Sequence, residues 1–201
     1  MTAVETADQP SLTRSQQQRR DRILAAARVL ATQGGYDAVH MRNVAETSGT
    51  SLGTLYRYFP SKVHLLVALM GEQTQRLSLS VNRRPVDEGN ARDRVLAVLQ
   101  RATRGMEREP ELTQAMLRAL MFADLSVASD VAPVSHATTK LILDAMGVDE
   151  DSMADDDRAI ARVLSQVWMS SLLTWLTGRL SSAQLYENLE VATRLLLGER
   201  P

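Results

Sequence analysis

No cysteine occurs among the 201 residues. Its absence excludes disulfides, thiolate metal sites, iron–sulfur clusters and cysteine nucleophiles. Aromatic residues make up only 4% of the chain, whereas Leu, Ala, Val and Met abound, a balance that favours helix over sheet. No apolar run approaches the ~18 residues of a membrane span. The opening string MTAVETADQPSLTRSQQQ has no apolar stretch, so it does not read as a secretory signal. Missing too are the glycine-rich phosphate loops. His40, His64 and His136 stand apart, with no His-x-x-x-His or Glu-x-x-His pair. The acidic stretch 149–157 (DEDSMADDD) departs from the calcium-loop pattern and reads as a solvated loop that also lends charge to the helix after it. An enzyme, a metal site and a cofactor are therefore not expected.

What is present is an ordinary globular composition, 44% hydrophobic and 23% charged. The net charge of −1 conceals an asymmetry. Residues 14–65 carry eight basic and three acidic groups, net +5, while the rest of the chain is mildly acidic. A basic head on an acidic body suggests a polyanionic partner for the head alone.

Prolines at 10, 60, 85, 110, 133 and 201 divide the chain, because proline lacks an amide donor and clashes inside helices. Helices are expected over 15–33, 42–48, 52–58, 62–82, 91–108, 110–125, 130–146, 156–178 and 182–197. In the first, Ile23, Ala26, Ala27, Leu30 and Ala31 form one stripe that stops at Gly34-Gly35. Ser61 caps the helix at 62–82, and Pro110 suits a first helical position. No alternating strand pattern is visible, so the fold class is all-α. Residues 1–13 read as a disordered tail, 14–61 as a head and 62–201 as a body, with a turn-rich boundary at 83–90.

The head holds the most telling spacing. From Met41, Val44 and Ala45 are fourth and fifth, Gly49 is ninth and Leu55 fifteenth. Two helices crossing through a short turn need a small residue where their backbones meet, here Ala45. The turn needs tolerance of positive φ, here Gly49. This is helix-turn-helix spacing. The second helix presents Ser51, Gly53, Thr54, Arg57 and Tyr56 outward, small groups that allow approach to base edges in a major groove. Tyr56, Tyr58 and Lys62 are placed for phosphates.

The string GGYDAVHMRNVAETSGTSLGTLYRYFPSKVHLLVAL, and LYRYFPSK within it, resembles the DNA-binding head of the TetR family of bacterial regulators. The resemblance implies a homodimer of about nine helices per chain, with a helix-turn-helix head and a body that binds a ligand and dimerises. It further implies operator contacts at Arg42, Ser51, Leu52, Gly53, Thr54, Tyr56, Tyr58 and Lys62. The basic groups Arg14, Arg19 and Arg20 are expected to form an arm towards the minor groove or backbone. Within the family, AMLRALMFADLSVASDV and ARVLSQVWMSSLLTWLTGRL look like repressors of cholesterol and steroid catabolism. That likeness implies release from double-stranded operator DNA by a steroid-derived acyl-CoA thioester, with no membrane partner and a cytoplasmic location. A fatty acyl-CoA or a drug is the alternative ligand, and a helical adaptor without DNA binding is the alternative class.

In the body, Met70, Met106, Met116, Leu120, Met121, Phe122, Leu125, Trp168 and Leu172 are large, apolar and helically spaced. They fit a hydrophobic pocket, or else core and dimer interface. Trp175, Leu176, Leu189 and Leu196, on the last two helices, are assigned to a four-helix dimer interface.

Overall fold

The computed structural model describes residues 13–83, 89–149 and 153–198. The N-terminal tail, the centre of the expected boundary loop and part of the acidic loop lie outside these residues. Within them the chain is helical and contains no strand.

Helix α1 (Arg14–Ala38) starts at a capping box, in which Thr13 and Gln16 satisfy one another's backbone amides. Thr13 is thus a helix cap. Of the expected stripe, Ile23, Ala26, Ala27 and Ala31 are buried and Leu30 is half-buried, and Leu24 is buried beside them. The glycines break the helix where expected, and a last turn re-forms to Ala38. Gly35 has φ +65°, outside the range comfortable for a side chain. The break turns the Tyr36 amide towards Gln114, whose Oε1 it reaches at 3.3 Å.

Helices α2 (Met41–Ser48) and α3 (Leu52–Tyr58) meet through Gly49, which adopts the left-handed conformation at φ +64°. Val44, Ala45 and Leu55 are buried between them. Helix α4 (Lys62–Arg83) then runs from the head into the body, with Ser61 accepting from the His64 amide at its start.

The body comprises α5 (Ala91–Arg108), α6 (Pro110–Met121), a 3₁₀ turn (Leu125–Val127), α7 (Ala128–Met146), α8 (Asp155–Leu176) and α9 (Ser182–Leu197). Asn90 caps α5, and a Ser181–Gln184 capping box starts α9. Two boundaries correct the sequence reading. Helix α6 ends at Met121, not 125, because Asp124 accepts from the amide and hydroxyl of Ser126 and starts the 3₁₀ turn instead. Helix α7 begins at Ala128, two residues before the expected start, and carries Pro133 inside it. The acidic residues Asp155, Asp156 and Asp157 occupy the first turn of α8, where the helix dipole favours them.

One apolar core runs from head to body. Helix α1 packs on α6, α4 lies against α6 and α7, and α8 pairs with α9. The head is therefore held to the body by α4 through the chain and by α6 through packing.

Candidate nucleic-acid interface and ligand cavity

The outward side of α3 is sparse in side-chain bulk. Ser51, Gly53 and Tyr56 are exposed, with Leu52, Thr54 and Tyr58 half-buried. Nothing lies within 4 Å of where a Cβ would stand at Gly53, so no packing inside the protomer calls for glycine there. A helix-interior glycine costs about 1 kcal/mol relative to alanine. Its bare backbone instead leaves space outside the protomer. Ser51 is the N-cap of α3, accepting from the Thr54 amide at 3.2 Å and donating to Thr54 Oγ1 at 2.9 Å. The two hydroxyls thus hold the helix start and each other. Leu52 packs on the core, so only part of it faces outward.

The charged groups around α3 differ in freedom. Arg14 and Arg42 are exposed, while Arg19 is half-buried and Arg20 lies 5.6 Å from the centroid of the Phe59 ring. Lys62 is not a free tether for phosphate. Its Nζ sits 3.8 Å above the Tyr36 ring, and burial lowers its pKa, with Asp37 opposing that shift and Arg118 adding to it. Arg118 covers Tyr36 at 4.8 Å and pairs with Asp37 at 2.8 Å, and Phe122 closes the group 5.9 Å from Tyr36. This cluster joins the end of α1, the start of α4 and the end of α6. Spacing singles out none of Tyr36, Asp37 and Arg118, because the cluster draws on three distant segments.

In the body, α4, α5, α6 and α8 surround a cavity of about 370 Å³. Met70, Met106, Met116, Trp168 and Leu172 line it, together with Leu112, Thr113, Thr138 and Met169. Trp168 is fixed by a hydrogen bond from its Nε1 to Thr103 Oγ1 at 3.0 Å, and Thr103 donates in turn to the Leu99 carbonyl. Arg28, Arg76 and Arg108 also line the cavity, with Gln73 and Glu109 among them. Gly105 borders it with nothing within 4 Å of its Cβ position, so the wall is open there.

Four of the expected pocket residues lie elsewhere. Leu120 packs on the core away from the cavity. Met121, Phe122 and Leu125 are 69%, 58% and 93% exposed. The end of α6 at Met121 takes Phe122 and Leu125 out of the helical spacing that placed them with the others. The polar lining escapes sequence reasoning altogether: Arg28 and Glu109 are 81 positions apart, and no periodicity links them.

The expected dimer face also needs one correction. Leu189 is fully buried within the protomer, so it is core. Trp175, Leu176 and Leu196 are half-buried, and beside Leu196 a shallow groove holds Val167, Leu180, Val191 and the 70% exposed Leu195.

Among known proteins, a profile described as bacterial regulatory proteins, tetR family, matches residues 23–69. One described as tetracyclin repressor-like, C-terminal domain, matches residues 89–196. The chain is 45% identical over 185 residues to the HTH-type transcriptional repressor KstR of Rhodococcus jostii, covering 92% of this chain and 85% of that protein. A crystal structure of a TetR transcriptional regulator from Rhodococcus sp. RHA1 superposes with a TM-score of 0.84 at 36% identity, covering 92% of this chain and 98% of that one. The Thermus thermophilus repressor FadR, solved with lauroyl-CoA, shares the fold at 22% identity, with a TM-score of 0.66 over 89% of this chain and 93% of that one.

Proposed function

Because the chain belongs to the TetR family of bacterial transcriptional regulators and is a repressor of that family, we propose that it binds a palindromic operator as a homodimer and is released by a steroid-derived acyl-CoA. The observation that carries the effector reading is the cavity itself. Its walls are methionine, leucine and tryptophan, suited to a rigid apolar body, and three arginines stand among them to meet phosphates. The likeness of the body to steroid-catabolism repressors selects the steroid. The lauroyl-CoA held by the Thermus thermophilus protein favours a CoA thioester, and a fatty acyl-CoA is the second reading. Residues 14–61 serve as the DNA-binding head and 62–201 as the effector and dimerisation body. The groove formed by α8 and α9 serves as the dimer face. Helix α4, which starts beside α3 and passes along the cavity through Met70 and Leu77, is the lever. Gly71 lies on this lever with Val134 at 3.5 Å from its Cβ position, where a glycine serves either to ease a bend or to let the helices pack closely.

Operator contacts divide by role. Arg42→Ala, which removes an exposed cation, is expected to weaken binding to all duplexes alike and to lower the slope of log affinity against log salt by roughly one for each phosphate it no longer neutralises. Thr54→Ala is expected to cost on the order of 1 kcal/mol or more at the operator, with little change on random DNA. Fluorescence anisotropy across a salt series separates the two. An equal loss on both DNAs in both variants would place the reading helix elsewhere.

Effector action is tested by reciprocity. A coupling of ~1–3 kcal/mol changes operator affinity about 5- to 150-fold, and operator must weaken effector binding by the same factor. Calorimetric titration of cholyl-CoA with and without saturating operator measures this. Equal affinities in the two titrations would rule the thioester out as inducer. Stearoyl-CoA run alongside distinguishes the steroid from the fatty acyl reading. Gly105→Trp, which fills the open wall, is expected to keep operator binding and lose the response.

A further inference from the structure

Arg28 belongs to α1, in the head, yet its guanidinium reaches into the lining of the body's cavity. There Nη2 donates to both carboxylate oxygens of Glu109 at 3.0 Å, and Nη1 contacts Gln73 Oε1 at 3.5 Å. This ion pair joins α1 directly to the junction of α5 and α6. Both partners are about one-third exposed, so solvent reaches them and the pair is of the exchangeable kind. Arg76 and Arg108 line the same cavity, and Arg76 is paired with Glu72 on its own helix. Cations outnumber anions where a ligand's charged end would lie.

We propose that Arg28 is an ion-pair switch: the phosphate groups of the bound thioester take its guanidinium from Glu109 and so release α1 from the start of α6. This rests on the acyl-CoA reading above and assigns the residue that converts occupancy into movement of the head. A phosphate offers the same two-oxygen edge to a guanidinium as a carboxylate, and carries more charge. The exchange leaves Glu109 in a tolerable place. It stands at the N-cap of α6 but makes no side-chain capping bond, and the positive end of that helix favours its charge once Arg28 has gone. Arg28 acts through the ion pair and positions α1 without reading DNA itself.

Opposite effects at the two ends of one ion pair provide the test. Cholyl-CoA binding is measured by calorimetry, and operator affinity by anisotropy, for the wild type, Arg28→Gln and Glu109→Gln, with thermal melts to establish folding. S-cholylpantetheine, which keeps the thioester but lacks the phosphates, serves as the second probe. In the wild type, cholyl-CoA is expected to bind at least tenfold more tightly than S-cholylpantetheine and to release the operator, as the pantetheine does not. Arg28→Gln is expected to bring cholyl-CoA down to the affinity of the pantetheine. Glu109→Gln, which removes the competing carboxylate, is expected to tighten cholyl-CoA binding several-fold and to weaken operator binding before any effector is added. A merely structural salt bridge would shift effector binding in the same direction in both variants, and that outcome overturns the switch. So does an unchanged response in a folded Arg28→Gln protein whose wild type is released by cholyl-CoA. If the wild type binds neither cholyl-CoA nor stearoyl-CoA, the effector reading fails as well, and the two failures are told apart by that first titration.

Discussion

Trp168→Ala is expected to destabilise the protein by about 3–5 kcal/mol, the range for removing a large buried aromatic. Trp168 is 3% exposed, and its indole separates the cavity from the packed core behind it. The hydrogen bond to Thr103 makes the loss larger than area alone implies. Thr103 is fully buried, and without Trp168 its oxygen loses the donor that satisfies it. The existing cavity would merge with the new void, which limits collapse around it. At this chain length each kcal/mol lowers the melting temperature by roughly 2–4 °C, so a drop of about 6–20 °C is expected. Urea unfolding measures the change directly. Trp168→Phe, which keeps most of the ring, is expected to lose only about 1–2 kcal/mol, near the cost of an unmet buried acceptor. A change under about 1 kcal/mol for the alanine variant would mean that the indole is not packed as described.

Insertion of about 5 base pairs between the operator half-sites should reduce affinity nearly as much. Two heads related by a two-fold axis must enter major grooves about 34 Å apart, or a little more, on one face of the duplex. Half a helical turn moves one half-site to the far face. The proposed dimer then holds one half-site specifically and forfeits roughly half of the ~4–10 kcal/mol that separates specific from non-specific binding. The expected loss is about 2–5 kcal/mol, and insertion of a full turn is expected to restore part of it. Electrophoretic mobility shifts at fixed salt decide the matter. Affinity indifferent to spacing would mean that the heads read DNA independently, and the two-fold dimer would have to be given up.

The head is legible in the sequence because its rules are local. Ala45, Gly49 and Leu55 are set by backbone approach, positive φ and burial, all within fifteen residues, and the structure gives each that role. The body is legible only as a set of apolar stripes. The same helical spacing puts Leu172 beside a cavity, Leu189 in the core and Leu195 in solvent, since periodicity fixes a face but not the neighbour it meets. The end of α6 is hidden because a single acceptor, Asp124, redirects the chain after an unbroken apolar run. By sequence, Arg28 is one more basic group of the head. Its partner Glu109 lies in another segment, and only the packing of α1 on α6 brings them together.

Tyr36 has an evolutionary consequence. One ring is shared by Lys62 and Arg118, from two different helices, and Arg118 also holds Asp37. Groups that share a partner rarely contribute independently, and couplings of about 0.5–3 kcal/mol between neighbours of this kind are common. Mutational histories through this corner are therefore epistatic. A replacement of Lys62 tolerated while Arg118 still covers the ring becomes costly once Arg118 has been replaced, and the order in which they change matters. Relatives that altered their inducer response through this joint are expected to carry linked changes at positions 36, 62 and 118, reached by few accessible paths.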